Sequence, residues 1–187
     1  EYIKQLTDTT AAKERIESEL KIAHDIQINI LPKVFPPFPN RRDFDIYAFM
    51  EPAREVGGDF YDFFLIDENH LYFVIGDASG KGIPAALFMA ITKTLLKATA
   101  TTGLSPGDIL TNVNKELSQG NDFCMFTTVF MGILNTKTGE IFYANGGHNP
   151  PLVLRNDREI QFLEGERRLV VGAMENSVYG TERFRLQ

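Results

Sequence analysis

Four prolines fall within eight positions, at Pro32, Pro36, Pro37 and Pro39. Each removes a backbone donor and fixes one φ angle, so this stretch can neither continue a helix nor sit inside a sheet. It is a stiff connector, and it separates two regions that must fold differently. Before it, residues 7–31 contain no Gly or Pro and are rich in Ala, Lys, Glu and Leu, which predicts one long helix. Ile3, Leu6, Ile16, Leu20, Ala23 and Ile30 form a narrow stripe at three-four spacing. That stripe suits a dimerising, signal-transmitting coiled coil or a helix lying on its own domain. The chain therefore divides into an N-terminal helix (1–31), a connector (32–41) and a globular domain (42–187).

After the connector the pattern changes to strands. Residues 44–50 alternate, 60–65 are aromatic, and 71–75 are β-branched and aromatic without a break, with Asp67, Glu68 and Asn69 as the turn between the last two runs. Residues 84–101 read as a helix with proline in its first turn. A second helix opens at Ser105, with Pro106 in its first position and Asp108 in the capping-box place. Strands resume at 126–134 and 140–145 around a turn at 135–139, then at 152–154 and 160–163 around Asn156 and Asp157, and residues 182–187 alternate again. Tight turns between successive strands mean antiparallel sheet, and two consecutive helices between strand sets predict an α+β fold with the helices packed on a sheet face.

Charge and composition remove several functions. Nineteen basic against 25 acidic residues give a net charge of −6, which disfavours nucleic acid or an anionic membrane as partner. Cys124 is the single cysteine, so no internal disulfide or cysteine-based zinc cluster can form, and its apolar neighbours suggest a small buried side chain. His24, His70 and His148 are scattered. The most apolar stretch, 83–96, is interrupted by Lys93 and falls short of the roughly 18 residues that span a bilayer. With no leader segment visible, a cytoplasmic location is expected. Because the first residue is Glu1 and the last residues alternate as in mid-strand, the sequence is expected to be a fragment of a longer protein.

Two segments concentrate chemistry. Arg54, Gly57, Gly58, Asp59 and Asp62 lead into one predicted strand, and Gly76, Asp77, Ala78, Ser79, Gly80, Lys81 and Gly82 leave the next. If 60–65 and 71–75 pair as a hairpin, Asp59 enters and Asp77 leaves at the same end. Two carboxylates so placed repel unless a hard divalent cation lies between them, although both could simply cap turns. The Gly80-Lys81-Gly82 run does not match the phosphate-binding P-loop, whose spacing and following Ser or Thr are missing. His148, among two glycines and two prolines, suits a loop-holding role or an acid–base role. Met89 reads as core.

Three blocks carry a resemblance. Pro52-Ala-Arg-Glu-Val-Gly-Gly-Asp-Phe-Tyr-Asp62, Gly76-Asp-Ala-Ser-Gly-Lys-Gly-Ile-Pro-Ala-Ala86 and Tyr143-Ala-Asn-Gly-Gly-His-Asn-Pro-Pro151 closely resemble the SpoIIE/RsbU-type branch of the protein phosphatase 2C-like (PPM) family. The resemblance implies an α-β-β-α sandwich with a two-metal site for Mn²⁺ or Mg²⁺. It implies hydrolysis of phosphoserine or phosphothreonine on a protein, often a STAS-type anti-sigma-factor antagonist, by a metal-activated water. By motif, Asp77 bridges both metals, Asp59 serves one, the Ala78 carbonyl is the backbone ligand, and Arg54 takes the place of a phosphate-binding arginine. The family's other metal aspartates lie beyond Gln187, so the domain is expected to be incomplete at its C-terminus. A homodimer through the N-terminal helix and an upstream sensor or receiver domain are expected. The alternative is a non-catalytic partner-binding module of the same fold.

Overall fold

The computed structural model describes residues 2–101, 103–155, 159–163, 165–166 and 168–186. The elements run α1 (Tyr2–Asn29), β1 (Asp59–Leu65), β2 (His70–Ala78), α2 (Ile83–Ala100), α3 (Pro106–Ser118), β3 (Thr127–Asn135), β4 (Glu140–Gly146), β5 (Leu152–Leu154), β6 (Ile160–Phe162) and β7 (Glu182–Arg185). Five strands form one antiparallel sheet in the order β1-β2-β3-β4-β7, and β5 and β6 form a separate two-stranded sheet. The predicted turn between β5 and β6, at 156–157, lies outside the described residues.

Local chemistry explains the boundaries. Asp67 Oδ1 accepts the backbone N–H of Asn69 and of His70, at 2.8 and 3.0 Å, which closes the β1–β2 hairpin. Ser105 caps α3 by accepting the Asp108 N–H at 3.3 Å, while its hydroxyl donates to Asp108 Oδ2 at 2.6 Å. Both features agree with the sequence reading.

α2 and α3 pack on one face of the five-stranded sheet. Phe60, Tyr72, Val74, Val129, Met131 and Ala144 from the strands meet Met89, Leu96, Ile109, Leu110 and Val113 from the helices, all buried. Met89 is core, as read. α2 is long and apolar enough to cross a membrane by length and composition, contrary to the expectation that no stretch would qualify. Here it is a core helix with Ala85, Met89, Leu96 and Ala100 turned inward. Its interrupting charge is satisfied, since Lys93 Nζ lies 2.7 Å from Asp62 Oδ2 on β1, both groups buried. A buried pair of this kind fixes the helix to the strand more than it stabilises the fold.

Three expectations change. Residues 44–50 form no strand. The segment is extended, but rings hold it in place of ladder partners: Tyr47 lies 5.0 Å from Phe35, Phe44 lies 5.6 Å from Phe38, and the Arg41 guanidinium sits over Phe44. Cys124 is exposed, not buried. Asn121 holds the turn that carries it, accepting the Met125 N–H at 2.9 Å and donating to Met125 O at 2.6 Å, which turns the intervening residues outward. α1 starts earlier than predicted, at Tyr2, and ends at Asn29. Within it Gln27 is the one buried residue, and Leu20 and Ala23 are half-buried, so the C-terminal part of the stripe turns toward its own domain.

Candidate metal centre

The hairpin register brings the two candidate carboxylates together. Asp59 and Asp77 are Cα partners across the β1–β2 ladder, at the end where β1 begins and the loop to α2 departs. Asp77 is the next-to-last residue of β2 and Ala78 the last. Beyond it, Ser79 N–H donates to Phe126 O at 2.7 Å, and Ser79 Oγ accepts from the Phe126 N–H at 2.9 Å. The loop is thereby tied to the segment leading into β3. The Ser79 hydroxyl is engaged there and with Met125 Sδ at 3.9 Å, and has no histidine partner among the described residues.

Gly58 determines how closely the ligand atoms approach. Its carbonyl accepts the Ala78 N–H at 3.1 Å. A Cβ at this position would lie 2.3 Å from Ala78 O and 3.0 Å from Asp77 Oδ1. A carboxylate oxygen and a carbonyl oxygen therefore converge against a bare Cα, immediately before Asp59. This is an all-oxygen donor set of the kind hard divalent cations prefer, with room left for water. Burial pushes the Asp77 carboxyl up from its ordinary value, and the neighbouring Asp59 charge pushes it further, with His148 acting in the opposite sense. The two carboxylates thus repel each other. Two carboxylates and a carbonyl fit such an ion with solvent completing its shell. No cluster of three or more His, Cys, Asp or Glu suited to a metal occurs among the described residues.

The surroundings assign the remaining candidates. Arg54, Asp59, Asp77 and Lys81 line one cavity of about 190 Å³, closed on one side by Gln27 of α1. His148 is half-buried, and its Nδ1 lies 2.8 Å from Thr128 Oγ1, Thr128 being the β3 register partner of Asp77. Asn145 holds the loop at both ends of the same residue, accepting the His148 N–H at 2.8 Å and donating to His148 O at 3.0 Å. The loop-holding reading of His148 is met. Burial lowers its pKa while Asp77 and Asp59 raise it, so the fold supplies the carboxylate neighbours that sequence spacing did not reveal.

Sequence reasoning missed Gln27. Its Nε2 donates to Gly57 O at 2.5 Å and its Oε1 accepts the Gly57 N–H at 3.0 Å, a two-bond clamp on the residue preceding Gly58. One turn earlier, His24 Nδ1 lies 2.5 Å from Glu55 O. In sequence Gln27 is a polar residue at a stripe position between Ala23 and Ile30, which does not by itself single it out.

A helical pair on an antiparallel sheet, with facing aspartates at a hairpin end, is the architecture of a PP2C-like domain. The SiaA-PP2C domain of Pseudomonas aeruginosa superposes with a TM-score of 0.75 at 21% identity, covering 95% of this chain and 70% of that one. Residues 67–187, more than half of the chain, match the family model of Stage II sporulation protein E (SpoIIE), and the chain belongs to that family. Phosphoserine phosphatase RsbU of Bacillus subtilis is 36% identical over 139 residues, covering 74% of this chain. Protein IcfG of Synechocystis sp. is 31% identical over 217 residues, covering 99% of it. The chain spans 40% and 33% of the length of these two relatives.

Proposed function

We propose that this chain is the phosphatase domain of a signalling protein, hydrolysing phosphoserine or phosphothreonine on a regulatory protein. The observation that carries this reading is the Asp59–Asp77 pair, opposed in register with the Ala78 carbonyl beside it. Asp59, Asp77 and Ala78 O would hold Mn²⁺ or Mg²⁺. Such an ion supplies a lowered pKa for water and offsets phosphate charge. Arg54, on the wall of the same cavity, would engage phosphoryl oxygens. Thr128 holds the His148 ring and Asn145 its main chain. No protein nucleophile is required, in keeping with the engaged Ser79 hydroxyl and the exposed Cys124.

In this reading the chain divides into helix (1–31), connector (32–41) and catalytic domain (42–187), and control would be exerted from the N-terminus. α1 would act on the site through the Gln27 clamp on Gly57, pair with a second α1 in a homodimer, and relay an upstream sensor or receiver domain. Identity to a named phosphoserine phosphatase supports a phosphoprotein substrate, for which a STAS-type anti-sigma-factor antagonist is the proposed class. A second reading, a partner-binding module without hydrolysis, is favoured by the lack of a third clustered acidic ligand among the described residues. Release of phosphate from a phosphoserine protein, with and without Mn²⁺, separates the two. The first reading expects Mn²⁺-dependent release that Asp77→Asn abolishes. Both are measured on the full-length protein, since the chain itself is expected to show little activity: equal release by Asp77→Asn would refute the assigned role of Asp77, and no release by the unaltered protein would favour the binding module.

A further inference from the structure

Lys81 failed the P-loop test in sequence, yet the fold brings it into the cavity that holds Asp59, Asp77 and Arg54. Its backbone is constrained on both sides. Gly80 and Gly82 have φ of 85° and 68°, in the left-handed region that favours glycine, and α2 begins at the next residue, Ile83. Upstream, Ser79 is stitched to Phe126, and downstream the Ala86 N–H donates to Gly82 O at 3.0 Å. The point from which the side chain departs is therefore held, while the ammonium itself is solvent-exposed.

Among the described residues, neither Lys81 nor Arg54 takes part in an ion pair. Lys81 is thus no counter-ion to the aspartates. The charges that act on Asp77 are those of Asp59 and His148. The cavity is lined by two cationic groups outside any ion pair among the described residues, Arg54 and Lys81, and by the two carboxylates. Once the carboxylates hold a divalent ion, Arg54 and Lys81 are the remaining charged residues of the lining, which suits a phosphomonoester dianion.

We propose that Lys81 is a phosphate-binding residue of this cavity, contacting the phosphoryl group of the substrate and the inorganic phosphate left by hydrolysis. The assignment rests on the phosphatase reading and adds a specific residue to it. The lysine acts as a mobile point charge, and one charge-assisted ammonium–phosphate hydrogen bond is worth about tenfold in affinity.

The test uses the chain, Lys81→Ala and Lys81→Arg, each with Mg²⁺. Two quantities are measured: steady-state hydrolysis of a phosphoserine peptide, and the calorimetric Kd for inorganic phosphate. For Lys81→Ala the expected result is about a tenfold rise in both KM and phosphate Kd, with kcat within about threefold. Lys81→Arg should restore both to within about threefold of the unaltered chain, since it keeps the charge. Values for Lys81→Ala within about twofold of the unaltered chain would overturn the assignment while leaving the phosphatase reading intact. Should the chain hydrolyse nothing, the phosphate titration alone decides. A tenfold loss in Lys81→Ala supports the site, and equal affinity, or no phosphate binding by the unaltered chain, overturns it.

Discussion

Gly58→Ala is the perturbation that bears most sharply on how the site is built. The added methyl would meet Ala78 O at 2.3 Å and Asp77 Oδ1 at 3.0 Å, whereas real Cβ atoms essentially never approach within 3.0 Å. The Ala78 contact is to backbone, so a rotamer change cannot relieve it. The start of β1 must move away from the end of β2. Overpacking of this kind costs about 1–3 kcal/mol. Separation also weakens the 3.1 Å bond from Ala78 N–H to Gly58 O, worth about 0.5–1.5 kcal/mol. Together the change should destabilise the domain by about 2–4 kcal/mol. Urea unfolding followed by far-UV circular dichroism suits a chain with no Trp. The same displacement separates Asp77 and Ala78 O from Asp59, so Mn²⁺ affinity should fall at least about tenfold. Gly57→Ala is the internal control, because a Cβ there meets nothing within 4 Å and its φ is not positive. That variant should match the parent or gain a few tenths of a kcal/mol (about 0.4) by restricting the unfolded chain. If Gly58→Ala behaved like Gly57→Ala in both measurements, the close approach described here would be wrong.

Asp77→Asn should raise the melting temperature of the metal-free chain at neutral pH. Because the folded pKa of Asp77 is raised, ionisation of this group opposes folding as pH rises through the carboxylate range, so the gain should vanish in acid; partial exposure keeps it below about 1 kcal/mol. Lys93→Met should cost about 3–5 kcal/mol in urea unfolding, since it strands the buried Asp62 carboxylate, and adding Asp62→Leu should recover most of that loss. Additive losses in the double variant would contradict the pairing. Ile16→Asp, on the exposed part of α1, should shift sedimentation from dimer toward monomer without changing the melting temperature; an unchanged sedimentation profile would count against pairing through this helix.

Much of the site was legible because it depends on local rules. Counting outward from the Asp67 turn is enough to oppose Asp59 and Asp77, since an antiparallel hairpin fixes its register from its turn. The Ser105 cap is equally local. The failures have physical causes. Alternation at residues 44–50 reports extended backbone, not a ladder, and nothing in the pattern says that ring contacts to Phe35 and Phe38 replace strand partners. The apolar neighbours of Cys124 suggested burial, but Phe123 beside it is 90% exposed, because the Asn121 turn sets direction whatever the flanking hydrophobicity. Gln27 and His148 act through partners 30 and 20 positions away, at Gly57 and Thr128. Contacts across that separation arise from packing of whole elements and leave no periodic trace. Lys81 lay between the two cases: the motif was visible, but its proximity to Arg54 and the carboxylates required the fold.

The proposed joint hold of Asp59 and Asp77 on a divalent cation is open to direct measurement. Titration of Mn²⁺ into the chain, followed by loss of the free-ion electron paramagnetic resonance signal, measures this without reference to turnover. Saturable binding by the unaltered chain is expected, with at least about a tenfold loss of affinity in both Asp59→Asn and Asp77→Asn. Binding that is unchanged in the two variants would contradict it.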